Sequence, residues 1–327
     1  MVKEKKVSKV VDVDSDFAKK IETELSKAVV GQREIVHGII RAVICDGHVL
    51  LEGIPGIAKT LLIKALAIVM GCDMKRVQFT VDLLPTDIIG ITKFNEKKND
   101  FEILKGPIFT NFLIADEINR SPAKTQSALL EAMQEKNVTI SKETYPLPNP
   151  FIVLATENPI EQSGVYSLPE AQLDRFLFKL VMDYPEFKEE TLILDKNITT
   201  GRIEDFKLKP ILSPEKVLSL QKKVKEIYCS DDVKDYVVRL VQSTRKKEFE
   251  LGKYILYGCS PRASIGLYIA AKAEALMAGR DYVIPSDVKK VALPILRHRV
   301  LLNYEAEADN VTPDMVIKEI LNKVIVE

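Results

Sequence analysis

The run Gly53-Ile54-Pro55-Gly56-Ile57-Ala58-Lys59-Thr60 places glycines, a lysine and a hydroxyl where they could hold phosphate. Glycines let the backbone fold back so that successive N–H groups converge on phosphate oxygens. A helix beginning at Thr60 would add the positive end of its dipole. In that reading Lys59 reaches the β- and γ-phosphates of ATP, and the Thr60 hydroxyl is a ligand of Mg2+. Gly53, Pro55, Gly56, Ile57, Ala58 and Leu61 complete the cradle. The generic pattern has Gly immediately before the Lys, and here that place is Ala58.

A second constellation follows downstream. Phe112-Leu113-Ile114-Ala115-Asp116-Glu117 is an apolar strand ending in two carboxylates. Asp116 would hold Mg2+ through its water shell, and Glu117 would orient or deprotonate an attacking water. One acidic residue closing a strand commonly just caps the next helix, but that does not account for a phosphate loop upstream. Asn158, at the end of Phe151–Thr156, could sense the γ-phosphate; taken alone it reads as a turn residue before Pro159. Arg175 in Leu173-Asp174-Arg175-Phe176 and Arg262 in Ser260-Pro261-Arg262 could each be a surface ion-pair partner, the usual fate of a lone arginine.

These residues need a scaffold. Short apolar runs at His48–Glu52, Arg76–Val81, Asn111–Ala115, Phe151–Thr156 and Phe176–Met182 read as strands of a parallel sheet buried on both faces. Helical patterns alternate with them, including Leu61–Met70 and one in which Ser121 caps and Pro122 takes the first position. Asn137–Pro150 reads as an exposed β-hairpin, its prolines excluding it from a sheet centre. After Tyr184-Pro185 a polar connector leads to helices opened by Ser213, Ser230 and Ser260, with a last segment near Pro285. Val217, Leu220, Val224 and Tyr228 should share one face of the first. No strand signal of comparable strength occurs there.

Composition limits the alternatives. With 327 residues, 46% of them hydrophobic, and 47 basic against 47 acidic side chains, the chain should fold as about two domains and not stay disordered. The balance also disfavours a dedicated nucleic-acid binder: from Ser213 onward 19 basic residues meet 16 acidic ones, too small a tilt to neutralise a phosphate backbone. No apolar run is long enough for a membrane span, the N-terminus lacks a signal core, and four scattered cysteines suit a reducing compartment. The expected location is cytoplasmic. His37 and His48 have no second ligand at metal spacing, His298 reads as a helix-surface residue, and Tyr145 and Tyr166 read as packing aromatics.

From Val29-Val30-Gly31-Gln32 to Arg297-His298-Arg299 the chain resembles the AAA+ ATPases, and within them the MoxR branch. The phosphate loop with Ala58, Phe79–Gly90, Gly106–Phe109, Asp116–Glu135, Ala155–Phe176 and Ser260–Ala263 carry the resemblance. It implies an α/β P-loop domain with a parallel central sheet, followed by a small all-helical lid. The divisions would be 1–28 as a helical lead-in, 29–185 as the ATP-binding core, 186–212 as a connector and 213–327 as the lid. It implies a ring, usually hexameric, with ATP between subunits. Asn158 then matches sensor one, Arg175 the arginine finger acting on a neighbour's γ-phosphate, and Arg262 sensor two. Val30, Gly31 and Gln32 match the adenine pocket, Asn119 and Arg120 look like subunit-interface residues, and Leu83–Thr110 matches an insertion facing pore or substrate. MoxR-type ATPases often work, chaperone-like, on a protein client with a partner carrying a von Willebrand factor A domain. This sequence contains no such domain, so that partner would be a separate chain. A nucleic-acid motor, a metal-chelatase motor subunit and a scaffold that uses ATP only to assemble are the competing expectations. Stimulation of ATPase activity by DNA would favour the first; activity surviving neutralisation of Glu117 would favour the last.

Overall fold

The computed structural model describes residues 16–54, 56, 59–159, 166–196 and 202–326. Helices α1 (Asp16–Leu25) and α2 (Arg33–Ile44) precede β1 (Val49–Gly53), α3 (Lys59–Val69) and β2 (Met74–Gln78). A short α4 (Pro85–Ile89) and the hairpin β3 (Gly90–Asn95) and β4 (Asp100–Lys105) lead to β5 (Phe112–Asp116) and α5 (Ala123–Glu135). Next come the hairpin β6 (Asn137–Ile140) and β7 (Glu143–Pro146), β8 (Ile152–Glu157), α6 (Glu170–Leu173), β9 (Phe178–Met182) and α7 (Phe187–Lys196). The remainder is α8 (Pro214–Glu226), α9 (Asp231–Lys246), β10 (Ile255–Tyr257), α10 (Pro261–Met277), α11 (Pro285–Leu296), β11 (Leu301–Leu302), α12 (Tyr304–Ala308) and α13 (Pro313–Lys323).

Five strands form a parallel sheet in the order β2-β5-β8-β1-β9. The expected apolar runs supply all five, displaced by one to three residues. The largest displacement is at β2, an edge strand that starts two residues before Arg76 and ends three before Val81. Alternation divides the sheet's two faces. Val49, Leu51, Phe112, Ile114, Ile152 and Leu154 face one core, which also takes in α1–α3 and the lid helices. Leu50, Leu113, Ala115, Val153 and Ala155 face a second, closed by Leu129, Leu130 and Met133 of α5 and by Phe176. The β6–β7 hairpin pairs apart from this sheet and is less exposed than expected, for Val138, Ile140 and Leu147 are buried.

In the lid, Ser213, Ser230 and Ser260 each accept a backbone N–H from the first turn they open, as expected. Elsewhere the reading needs correction. Ser121 does not cap α5: its hydroxyl turns back to the Ile118 carbonyl (3.4 Å), and the helix begins at Ala123. Tyr228 lies beyond the end of α8 and is 59% exposed, its backbone bridging to Asp281 and Val283. The connector holds α7, and the lid holds the antiparallel pair β10–β11, too short for a periodic signal. His298 is buried, not at a helix surface, with Nε2 beside the Phe176 carbonyl (3.1 Å).

Lid and sheet are joined inside the first core. Arg41 of α2 donates to Glu274 of α10 at 2.5 Å with both side chains buried, and Lys290 of α11 meets the other carboxylate oxygen (2.5 Å). Gln221 of α8 donates to the Val43 carbonyl (2.8 Å). All four cysteines are free thiols, and burial pushes each up, Cys259 to about 11, so none is primed as a thiolate.

His48 bridges sheet and helix just before β1. Its Nδ1 accepts the Val153 N–H (3.0 Å), which leaves Nε2 to donate to the Met133 carbonyl (3.2 Å). This fixes the neutral ring, and burial pulls its pKa down to about 4. The unfolded chain therefore takes up the proton first as pH falls. The stability from His48 is complete above about pH 6.5 and drains toward pH 4, with roughly 2 kcal/mol lost by pH 5. Buried His298 adds in the same sense. The urea midpoint should fall between pH 7 and pH 5, and fall less in a His48→Gln variant. Equal midpoints at the two pH values would contradict this account.

Candidate active site

β1 delivers Gly53 to the carboxyl edge of the sheet, and α3 starts at Lys59. Pro55, Ile57 and Ala58 lie outside the described residues. Gly56 has φ +86°, a backbone conformation open to glycine and strained for other residues. Lys59 Nζ donates to the Gly53 carbonyl and to that of Glu157 (3.3 Å), so its charge sits between the ends of β1 and β8. Thr60 Oγ1 lies 3.3 Å from Asp116 Oδ2, and Leu61 is half-buried in the same first turn.

Asp116 closes β5, and Glu117 leaves the strand in a left-handed conformation, φ +57°. That is uncommon for a glutamate, and such geometry clusters at functional sites. One hydroxyl ties the two acidic residues together: Thr156 of β8 donates to the Asp116 carboxylate at Oδ1 (2.5 Å) and accepts the Glu117 backbone N–H (2.8 Å). Arg76 of β2 donates twice to Asp116 Oδ2 (2.6 and 2.9 Å). Burial raises the Asp116 pKa, but the hydrogen bonds from Thr156 and Arg76 outweigh it and hold the carboxyl below its usual range. Glu117 Oε2 accepts from Gln78 (2.6 Å) and pairs with Arg120 (3.1 Å). Asn158 is buried directly after β8. The Thr60 and Asp116 oxygens are hard donors of the kind Mg2+ takes in small number alongside substrate phosphates.

Gly31 and Gln32 have φ +68° and +56° and lead into α2; Val30 before them is half-buried. Gln32 Nε2 donates to the carbonyl of Asp183, just past β9, and β9 is the neighbour of β1. The segment therefore shares the sheet edge of the phosphate loop. A Cβ on Gly31 would meet the Glu189 carboxylate at 2.4 Å.

Arg175 and Arg262 are brought together, but not here. They line one cavity with His48, Met133, Gln134 and Asp174 at the amino end of β1. A strand of that length separates the cavity from Gly53 by roughly 15 Å. At that spacing neither arginine reaches Gly53 of its own chain. Arg175 Nε is buried and has no hydrogen-bond partner among the described residues. Asp174 is not its partner: Asp174 bonds Arg299 (2.7 Å) and Ser260 (2.9 Å) and lies 3.7 Å from Arg262. Asn119, expected at a subunit boundary, is buried in its own chain.

Sequence reasoning missed Arg76, Gln78 and Thr156. A threonine inside an apolar strand carries no distinct signal, and Arg76 acquires meaning only once β2 is known to lie beside β5.

Among the described residues no helix is long and apolar enough to cross a membrane. Residues 48–178 match the model of the ATPase family associated with various cellular activities (AAA), and residues 251–320 that of the AAA lid domain. Chaperone MoxR1 of Mycobacterium tuberculosis is 47% identical, the match covering 92% of this chain and 80% of that protein. YeaC of Bacillus subtilis, an uncharacterized protein, is 45% identical with 92% of each chain covered. A crystal structure of a Cytophaga hutchinsonii protein assigned as an ATPase superposes with a TM-score of 0.89 at 45% identity, covering 96% of both chains.

Proposed function

The chain belongs to the MoxR group of AAA ATPases, and from that premise we propose that it hydrolyses ATP to remodel or activate a protein client. The observation that carries this reading is Thr156 holding Asp116 and Glu117 together beside Lys59 and Thr60. Val30, Gly31 and Gln32 take the adenine, and the segment from Gly53 to Leu61, with Pro55, Gly56, Ile57 and Ala58, takes the phosphates. Mg2+, held by Thr60 and Asp116, would neutralise phosphate charge. Lys59 swings from backbone carbonyls onto the β- and γ-phosphates, and Glu117 orients the attacking water with Asn158 beside it. Little covalent work falls to the protein; positioning and charge stabilisation supply the rate.

Arg175 completes the site of a neighbouring subunit, and its distance from its own phosphate loop supports that assignment. Arg262 shares its cavity, so we assign Arg262 to the neighbour as well. A closed ring, six-membered by family resemblance, lets every subunit give arginines at one end and receive them at the other. The hairpin β3–β4 exposes Phe94 and Phe101, packed edge to face at 5.2 Å, an apolar surface suited to a protein client. A separate protein with a von Willebrand factor A domain is the partner the resemblance suggests, and the cytoplasm the location.

Lys59→Ala tests the nucleotide site. Losing a charge-assisted contact to phosphate should weaken ATP binding by roughly 10- to 100-fold, with hydrolysis falling alongside. A calorimetric titration showing unchanged ATP affinity would remove the phosphate-loop assignment.

A further inference from the structure

We infer that Arg299, in the turn after α11, is a positioning residue for Arg175, and that the lid thereby sets the aim of the arginine offered to the next subunit. This rests on the reading of Arg175 as acting in trans. A guanidinium has five N–H donors in a fixed planar fork. In Arg299 all five have acceptors, and four of them fall on the short stretch that carries Arg175. Nε donates to Asp174 Oδ1 (2.7 Å), and Nη2 to the carbonyls of Asp174 (3.2 Å) and Phe176 (2.7 Å). Nη1 donates to the Leu177 carbonyl (3.2 Å) and to that of Ile295. His298 adds a second donor to the Phe176 carbonyl (3.1 Å), and the Leu177 N–H donates to the His48 carbonyl (2.9 Å).

Arg175 sits in the middle of this clamp, and its own Nε has no hydrogen-bond partner among the described residues. Its backbone is fixed through its neighbours while its buried Nε is left unspent. Asp174 extends the clamp to the second arginine, since its Oδ2 accepts from Ser260 at the start of α10 and lies 3.7 Å from Arg262. A buried arginine spent on the carbonyls of one turn holds that turn rigidly. Lysine, with three donors on a single point charge, cannot reproduce the fork.

A role in aiming Arg175 and a role in merely gluing lid to sheet give different results in mixed assemblies of the full chain. Each proposed pocket needs Glu117 from one subunit and a well-placed Arg175 from the next. Arg299→Lys should keep ATP affinity within about twofold of wild type and lower turnover about 10- to 100-fold, because a small misplacement is costly in rate. Mixed with Glu117→Gln subunits, which supply a well-aimed Arg175, it should recover turnover. Mixed with Arg175→Ala subunits it should recover none. Asp174→Asn, an isosteric change on a partly exposed side chain, should repeat the pattern and carries the test if Arg299→Lys does not fold. Unchanged turnover, lost ATP affinity, or no recovery with Glu117→Gln would each overturn the inference. The control mixture of Arg175→Ala with Glu117→Gln separates the two failures: if it recovers turnover and the Arg299 mixture does not, only the positioning role falls. If the control itself recovers nothing, the trans reading falls and takes this inference with it.

Discussion

With Glu117 replaced by Gln, ATP should bind with near-native affinity while turnover drops about 10²-fold or more, the size of a lost general base. The carboxylate contacts Gln78 and Arg120, neither of them assigned to the nucleotide. An amide of the same shape can still meet Gln78. Calorimetry for binding and phosphate release for turnover measure the two effects separately. Lost affinity with turnover preserved would make Glu117 a binding residue instead. The same variant, tagged and loaded with ATP, should retain its protein client long enough for identification. Retention of nucleic acid with a steep salt dependence would favour the motor reading.

Arg175→Ala should cost more, on the order of 10³-fold in turnover, as for an arginine that meets transition-state charge in another subunit. Its own pocket stays intact, so ATP affinity in the isolated variant should hold. Mixing it with Glu117→Gln subunits creates some pockets with an intact Glu117 and an intact Arg175 from next door, and turnover should partly return. Each variant alone should remain nearly inactive. If mixing under conditions that permit subunit exchange restores nothing, the shared-site mechanism loses its main support.

The central sheet was legible because its interior strands are buried on both faces and so read as unbroken apolar runs; Phe112–Ala115 and Ile152–Ala155 are fully enclosed. The edge strand β2 was blurred for the opposite reason: Lys75 and Arg76 are exposed, though Arg76 turns its guanidinium onto Asp116. Features local in sequence were readable without the fold: the Asp116–Glu117 pair closes one strand, and each serine cap of the lid sits within one turn of its helix. Contacts between distant segments were not. Thr156 serves Asp116 across a strand boundary, and Arg299 reaches Asp174 from the far end of the chain. His298 misled because flanking arginines suggest a wet surface, whereas Arg299 is buried by the acceptors it satisfies.

A core shared by sheet and lid resists hinging between them. Swinging the lid outward would strip Gln221 from Val43 and pull Glu274 from Arg41. It would also bare apolar surface at about 25 cal/mol for every Å² exposed. Close-packed helices instead slide past one another in small shear steps. On the proposed function the chain acts as a stiff lever with the nucleotide site at one end and two arginines at the other. Tilting that lever would change a neighbour's site, and the proposed ring would be a train of coupled levers in which each stroke is felt next door.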